Sequence, residues 1–155
     1  MISFVIPAHN EEIWVGRCVA AIQSAAGANG EEYEVIVVDD SSGDATSAVA
    51  LRHGARVIHV EPRHISAARN AGAHEAQGDV LFFVDADSLV GARLVNSAMA
   101  QIRAGAVGGG GHRERRERRR GHPDRLNRWR TGPGPRRALP GTARRGSAGP
   151  RLDRP

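Results

Sequence analysis

Two aspartates, Asp85 and Asp87, separated only by Ala86, close the apolar run Val80 to Val84 in "DVLFFVDADSLV" (79–90). Two carboxylates this close repel, and apolar surroundings make each harder to ionise. In an extended chain residues i and i+2 face the same side, so both would point at one place. That arrangement suits a hard divalent cation, Mg²⁺ or Mn²⁺, held by one or two carboxylates with phosphate oxygens and water completing the shell. Such a cation relieves the repulsion and stabilises charge on a leaving diphosphate as a Lewis acid. Taken alone, D-x-D is a weak signal, because an acidic turn after any strand produces it.

The pair has company at two other turns. "PAHNEE" (7–12) follows the first apolar run and "DDSSGD" (39–44) the second. Neither turn resembles a dinucleotide site, which needs a Gly-rich first turn whose helix start accepts pyrophosphate; here Glu11 and Glu12 would repel it. The chain also has no G-x-x-x-x-G-K-[ST] phosphate loop. An edge carrying Glu11, Glu12, Asp39, Asp40, Asp85 and Asp87 calls for a cation before it can take a diphosphate. His9, His53, His59, His64 and His74 lack the spacing of a zinc set.

The elements that must position these turns are four short apolar runs, 2–7, 33–40, 55–60 and 79–87, rich in β-branched and aromatic residues. They are continuous rather than alternating, as in parallel strands buried on both faces. Helical segments lie between them at 10–26, 44–54 and 63–78, with a fourth at 88–105. Ile13, Trp14, Cys18, Ala21, Ile22 and Ala25 form an apolar stripe on the first. Asn10 and Asp44 occupy N-cap positions, and Gly54 and Gly78 stand where C′ glycines belong. The βαβαβαβα order predicts an α/β fold with an open, doubly wound, mostly parallel sheet, whose ligands bind beyond the carboxyl ends of the strands.

Composition divides the chain near residue 108. All 22 basic residues are Arg; residues 1–108 hold seven of them against thirteen acidic residues, a net of −6, while 109–155 hold fifteen against four, a net of +11. Arg, Gly and Pro make up 30 of the last 47 residues, and Leu126, Trp129, Leu139 and Leu152 are the only large apolar side chains there. That is too little apolar surface to offset ordering entropy, so a disordered tail is expected. Its origin is open between an Arg-rich arm for polyanions and a reading-frame slip in a GC-rich gene. The absence of Lys and the abrupt change of character favour the slip. One cysteine, Cys18, excludes an intrachain disulfide. Neither a signal peptide nor a run of 18 apolar residues is present, so the expectation is a cytoplasmic protein without an integral membrane segment, soluble or peripheral at the inner membrane face.

"FVIPAHNEE", "YEVIVVDDSSGDAT" and "RHISAARNAGAHEAQGDVLFFVDADS" occur in this order. Over residues 1–108 the chain resembles the family 2 glycosyltransferases, inverting nucleotide-sugar transferases of GT-A, Rossmann-like fold. The resemblance implies a donor-binding domain at 1–108, followed by the 109–155 tail. It implies donor contacts from Pro7, Ala8, His9, Asn10 and Glu11 around the nucleoside, from Asp39 with Asp40 to the base, and from Arg69 to the diphosphate. Asp85 would lie near ribose and metal, with Asp87 as the more direct metal ligand, Mg²⁺ or Mn²⁺. The implied partners are a UDP- or GDP-sugar donor and a glycan or lipid acceptor of unknown identity, with no specific nucleic acid.

The family's catalytic base, an Asp or Glu downstream of the metal pair, has no counterpart in the matching region. Glu117 and Asp124 lie in the tail, and "RLNRW" (125–129) is similar to the family's Q-x-x-R-W only with Arg in place of Gln, which chance explains in this composition. By residue chemistry alone, Arg69 could instead pair with Glu75 or Asp79. Two other classes stay open. "FFVDADSLV" also resembles the nucleophile strand of haloacid-dehalogenase-type phosphatases, although that motif belongs on a first strand with a Lys elsewhere. A non-enzymatic fragment with a polyanion-binding tail is the other.

Overall fold

The computed structural model describes residues 1–111 apart from Asn29 and Pro62; the tail from residue 112, with Glu117, Asp124 and "RLNRW", lies outside them. Four strands alternate with four helices: β1 (Ile2–Ala8), α1 (Val15–Gly27), β2 (Tyr33–Asp40), α2 (Thr46–Arg52), β3 (Arg56–Val60), α3 (Ile65–Glu75), β4 (Val80–Phe83) and α4 (Ala92–Arg103). Every strand pair is parallel and the sheet order is β3-β2-β1-β4. The chain thus winds outward from β1 to β3, then crosses back over β1 to place β4. This is the expected open α/β sheet, and its order reverses between β1 and β4, the point beyond whose strand ends such sheets bind ligands.

β1 is buried along its whole length because it has a strand on each side and helices above and below. One face of the sheet sends Ile2, Phe4, Ile6, Val35 and Val37 into a core with Cys18, Val19 and Ile22 of α1, Ala50 of α2, and Val95 and Met99 of α4. The other face packs Val5, Ile36 and Val38 against Ala68 of α3. Burying each of these large aliphatic side chains contributes roughly 1.5–3 kcal/mol. Helix α3 comes unusually close. A Cβ added at Gly72 would stand 2.3 Å from Val5 Cγ1 and 2.8 Å from Val38 Cγ2.

Several boundaries differ from the sequence expectation. Helix α1 starts at Val15, so Asn10 is not its cap; Trp14 holds that position without a side-chain hydrogen bond. Ile13 and Trp14 precede the helix and are 72% and 45% exposed, off the core stripe that Cys18, Ile22 and Ala25 do form. Gly54 follows α2 in the left-handed region (φ 79°), as expected of a C′ glycine, and its N–H donates to Leu51 O at 2.9 Å. Gly78 has another role. Its φ is not positive, and a Cβ there would lie 2.7 Å from Met1 O and Ser3 Oγ, so it lets the chain pass beneath β1.

Strand β4 is shorter than its apolar run, and one side is open. Leu81 and Phe83 pair with Ser3 and Val5, on the α3 side of the sheet, yet α3 contacts β1, β2 and β3 and leaves these two side chains exposed. Arg56 and His59 of the edge strand β3 are exposed as well. The expectation of burial on both faces holds for β1 and most of β2 and fails at both edges.

Candidate functional site

The loops after β1, β2, β3 and β4 share the carboxyl edge of the sheet. Each of the first three contains one non-glycine residue in the left-handed region: Asn10 (φ 54°), Ser41 (φ 56°) and Arg63 (φ 46°). Such conformations cost on the order of 1 kcal/mol each and persist where surrounding contacts impose them. Here the contacts are visible.

Strand alternation turns the two aspartates ending β2 to opposite faces. Asp39 lies on the α2 side, 4% exposed. Its Oδ1 accepts the Ser42 N–H at 2.9 Å and its Oδ2 accepts the Ser47 hydroxyl. Burial alone would raise its pKa. Donors from Ser42 and Ser47, with His59 Nδ1 at 3.7 Å, outweigh that and hold it below the ordinary carboxylate value. Asp40, on the α3 side, accepts the Arg63 N–H at 2.8 Å. Its carbonyl is 2.6 Å from His9 Nδ1. A carbonyl only accepts, so His9 carries hydrogen on Nδ1.

The first loop is fastened to the second. The Asn10 N–H donates to Ser42 Oγ (3.0 Å), and Asn10 Oδ1 accepts the Gly43 N–H (2.8 Å). The Glu11 N–H donates to Thr46 Oγ1 at 2.8 Å. Asp44 accepts the Thr46 N–H at 2.9 Å, so it does cap α2, from one residue ahead of the position Ala45 occupies. Pro7 and Ala8 are buried within β1, opposite Val38 and Asp39 and past the last β1–β4 pair. Any contact they make with a ligand would run through backbone.

Asp85 and Asp87 do not sit on an extended strand. β4 has ended at Phe83, and the Ser88 N–H donates to Asp85 O at 2.9 Å, closing a turn around Ala86 and Asp87. Both carboxylates are exposed while Ala86 is buried. Both act on α1, where the Cys18 thiol is pushed up to about 12 by burial and then by the charges of Asp87 and Asp85. Glu11 is raised as well, first by burial, then by Asp87 and Asp44, with His9 opposing. The first and fourth loops are therefore electrostatic neighbours.

Arg69, from α3, meets Asp85 with Nη2 to Oδ1 at 2.7 Å. The two carboxylates proposed as competitors for it are engaged elsewhere, Glu75 with Arg56 (3.1 Å) and Asp79 with the Met1 amino group (3.4 Å). Its Nε is buried with no hydrogen-bond partner among the described residues. The same residues contain no set of three or more His, Cys, Asp or Glu side chains able to hold a metal ion. Asp85 and Asp87 are two exposed oxygen donors, and that chemistry fits Mg²⁺ or Mn²⁺ provided substrate oxygens and water complete the shell. Glu12, expected on the acidic edge, instead accepts the Ala45 N–H at 2.9 Å, and what sequence reasoning missed is the rest of the fastening set, Ser42, Thr46 and Ser47. Its signal was the run of Asp, Ser and Thr in "DDSSGDATS", residues that bond readily to nearby backbone.

The sequence profile of the family described as Glycosyl transferase family 2 matches residues 3–148. The chain belongs to this family. Curated relatives agree. A dolichyl-phosphate beta-glucosyltransferase of Drosophila melanogaster is 40% identical over 99 residues, covering 56% of this chain and 30% of that protein. An uncharacterized glycosyltransferase of Mycobacterium bovis is 35% identical over 106 residues, covering 68% of this chain and 45% of that protein. The family 2 chain thus spans less than half the length of these relatives.

Among solved structures, glucosyl-3-phosphoglycerate synthase from Mycobacterium tuberculosis in complex with phosphoglyceric acid superimposes with a TM-score of 0.58 at 27% identity, over 68% of this chain and 40% of that one. The same enzyme in complex with Mn²⁺, UDP and glucosyl-3-phosphoglycerate gives 0.52 at 28%, over 66% and 39%. S. aureus TarS gives 0.58 at 23%, over 66% and 32%, a likeness of fold. The phosphatase alternative finds no support in these matches. Among the described residues no helix is long and apolar enough to cross a membrane.

Proposed function

We propose that residues 1–108 form the donor-binding domain of a nucleotide-sugar transferase that takes a UDP- or GDP-sugar with Mg²⁺ or Mn²⁺ and transfers the sugar with inversion to a glycan or lipid acceptor. The observation that carries this is the turn after β4, where Asp85 meets Arg69 of α3 at 2.7 Å and the exposed Asp87 follows two residues on. The M. tuberculosis relative solved with Mn²⁺ and UDP supports the same ligand class.

In this reading Asp85 and Asp87 hold the cation, which when bound supplies Lewis-acid stabilisation of the leaving diphosphate. Arg69 offers its remaining N–H groups to phosphate oxygens. Asp39 and Asp40 are the acceptors for the N–H edge of the base, with Asp39 kept ionised by its serine donors. Pro7, Ala8, Asn10 and Glu11 form the wall of the nucleoside site, Asn10 chiefly by fixing the loop.

Isothermal titration of the full chain with UDP- and GDP-sugars, with and without Mn²⁺, tests the proposal. The expected result is binding that needs the metal and is lost in Asp87→Ala. Equal binding without metal, or retained binding in Asp87→Ala, would refute the assignment of that carboxylate.

A further inference from the structure

Glu12 and Asp44 lie outside the donor contacts assigned above, yet each accepts a backbone N–H from the other's turn. The Glu12 N–H donates to Asp44 Oδ2 at 3.1 Å, and the Ala45 N–H donates to Glu12 Oε2 at 2.9 Å. Asp44 Oδ1 takes the Thr46 N–H at 2.9 Å and the Thr46 hydroxyl. These amides belong to the opening turns of two neighbouring helical segments, where backbone donors lack partners inside their own helix. The first segment starts with Trp14 and Val15 N–H groups donating to Glu11 O, both at 2.9 Å. The second is α2. Each segment supplies a carboxylate that accepts a backbone N–H from the start of the other, an exchange like that of a capping box but joining residues 32 and 33 positions apart.

The groups on either side of this clasp are the ones a nucleoside would meet. Glu11 immediately precedes Glu12, while Asp39 is held by Ser42 and Ser47, which flank Asp44 to Thr46. The left-handed turn at Ser41 falls within the span it closes, and the one at Asn10 lies two residues before it. Resting on the proposed function, we infer that Glu12 and Asp44 are positioning residues for nucleotide recognition. Their clasp fixes the separation of the Glu11 and Asp39 loops, and neither carboxylate touches the ligand. A charge-assisted bond from a carboxylate to an N–H is the stronger kind, so its loss is felt at the neighbouring loop.

The test uses the full chain with Glu12→Ala, Glu12→Gln, Asp44→Ala and the double variant, measuring UDP affinity with Mn²⁺ by titration and backbone amide exchange by NMR. Glu12→Ala is expected to speed exchange at the Ala45 amide and to weaken UDP binding about tenfold, as loss of one hydrogen bond to a charged group implies. Glu12→Gln keeps an acceptor oxygen and recovers most of the affinity. The double variant binds no worse than the weaker single variant, because either change opens the same clasp. Unchanged exchange at Val5 and Ile36 shows that the sheet is intact in each variant.

If Ala45 exchange is unaffected by Glu12→Ala, the clasp does not exist in solution and the inference falls. If exchange rises but UDP binds as tightly as to the wild-type chain, the clasp has no positioning role. Absence of metal-dependent UDP binding by the wild-type chain overturns the proposed function and this role with it; wild-type binding matched by the variants overturns the role alone.

Discussion

Replacing Ser47 by Ala separates an Asp39 that is held as an anion from one that is merely buried. The carboxylate is 4% exposed, and its two oxygens take the Ser42 N–H and the Ser47 hydroxyl. Deleting the hydroxyl leaves one oxygen of a buried charge short of a donor, which costs about 1.5–3 kcal/mol. For a folded unit of this size about 2 kcal/mol lowers Tm by roughly 8–16 °C. The effect depends on pH in a fixed direction. The folded-state pKa of Asp39 lies below its ordinary 3.8, so its contribution is fully present above 3.8 and is lost as pH falls through the folded value. Urea denaturation of wild type and Ser47→Ala should therefore show the full deficit at pH 7 and a shrinking one below pH 3.8. Ser47→Thr, which keeps a hydroxyl, should lie closer to wild type. A deficit under about 0.5 kcal/mol at pH 7, or one that does not change in acid, would refute the anchored-anion reasoning.

Glu11→Gln should have the opposite sign. Burial, Asp87 and Asp44 raise its pKa above 4.5, so its charge costs stability as pH rises through that window; the variant should gain in urea denaturation at pH 7 and lose the gain in acid. Gly72→Ala should destabilise by at least about 1–3 kcal/mol in the same assay, because its methyl would enter the space of Val5 and Val38 between α3 and the sheet.

The strand core was legible because parallel strands covered on both sides carry unbroken apolar runs, and β1 and β2 do so in "ISFVIP" and "VIVV". Gly54 was legible for a local reason, a left-handed residue closing a short helix. What failed was non-local. Asn10 looks like a cap in sequence, yet its side chain bonds across to Gly43, and that long-range contact holds it at φ 54° while α1 waits until Val15. Ile13 and Trp14 follow the helical period but precede the helix, so the stripe loses its first two members. Leu81 and Phe83 read as buried because an apolar run does not say which of its two faces lacks a covering layer. For Arg69 the sequence offered Glu75 and Asp79 as partners, and its pairing with Asp85 was not foreseen. Only the packing of α3 against β1 and β2 brings Arg69 to Asp85.

That pairing also bears on why two aspartates can end an apolar strand. Asp85 is paired within the chain with Arg69, so the repulsion across Ala86 is eased before any ligand arrives. Asp87 has no such cation among the described residues; its side chain reaches the Ser88 hydroxyl at 3.5 Å, and its charge is felt at Glu11 and Cys18 instead. The unbalanced negative charge of this edge is therefore concentrated on Asp87 and Glu11, from two different loops. A monovalent partner would balance one of them. On the proposed reading a divalent ion held by Asp85 and Asp87 balances Asp87, and a diphosphate that draws Arg69 toward itself leaves Asp85 facing the same ion. If that reading holds, metal and diphosphate should each tighten the other's binding, and titration of UDP at several Mn²⁺ concentrations should show an affinity that rises with metal; a UDP affinity independent of Mn²⁺ would refute the coupling.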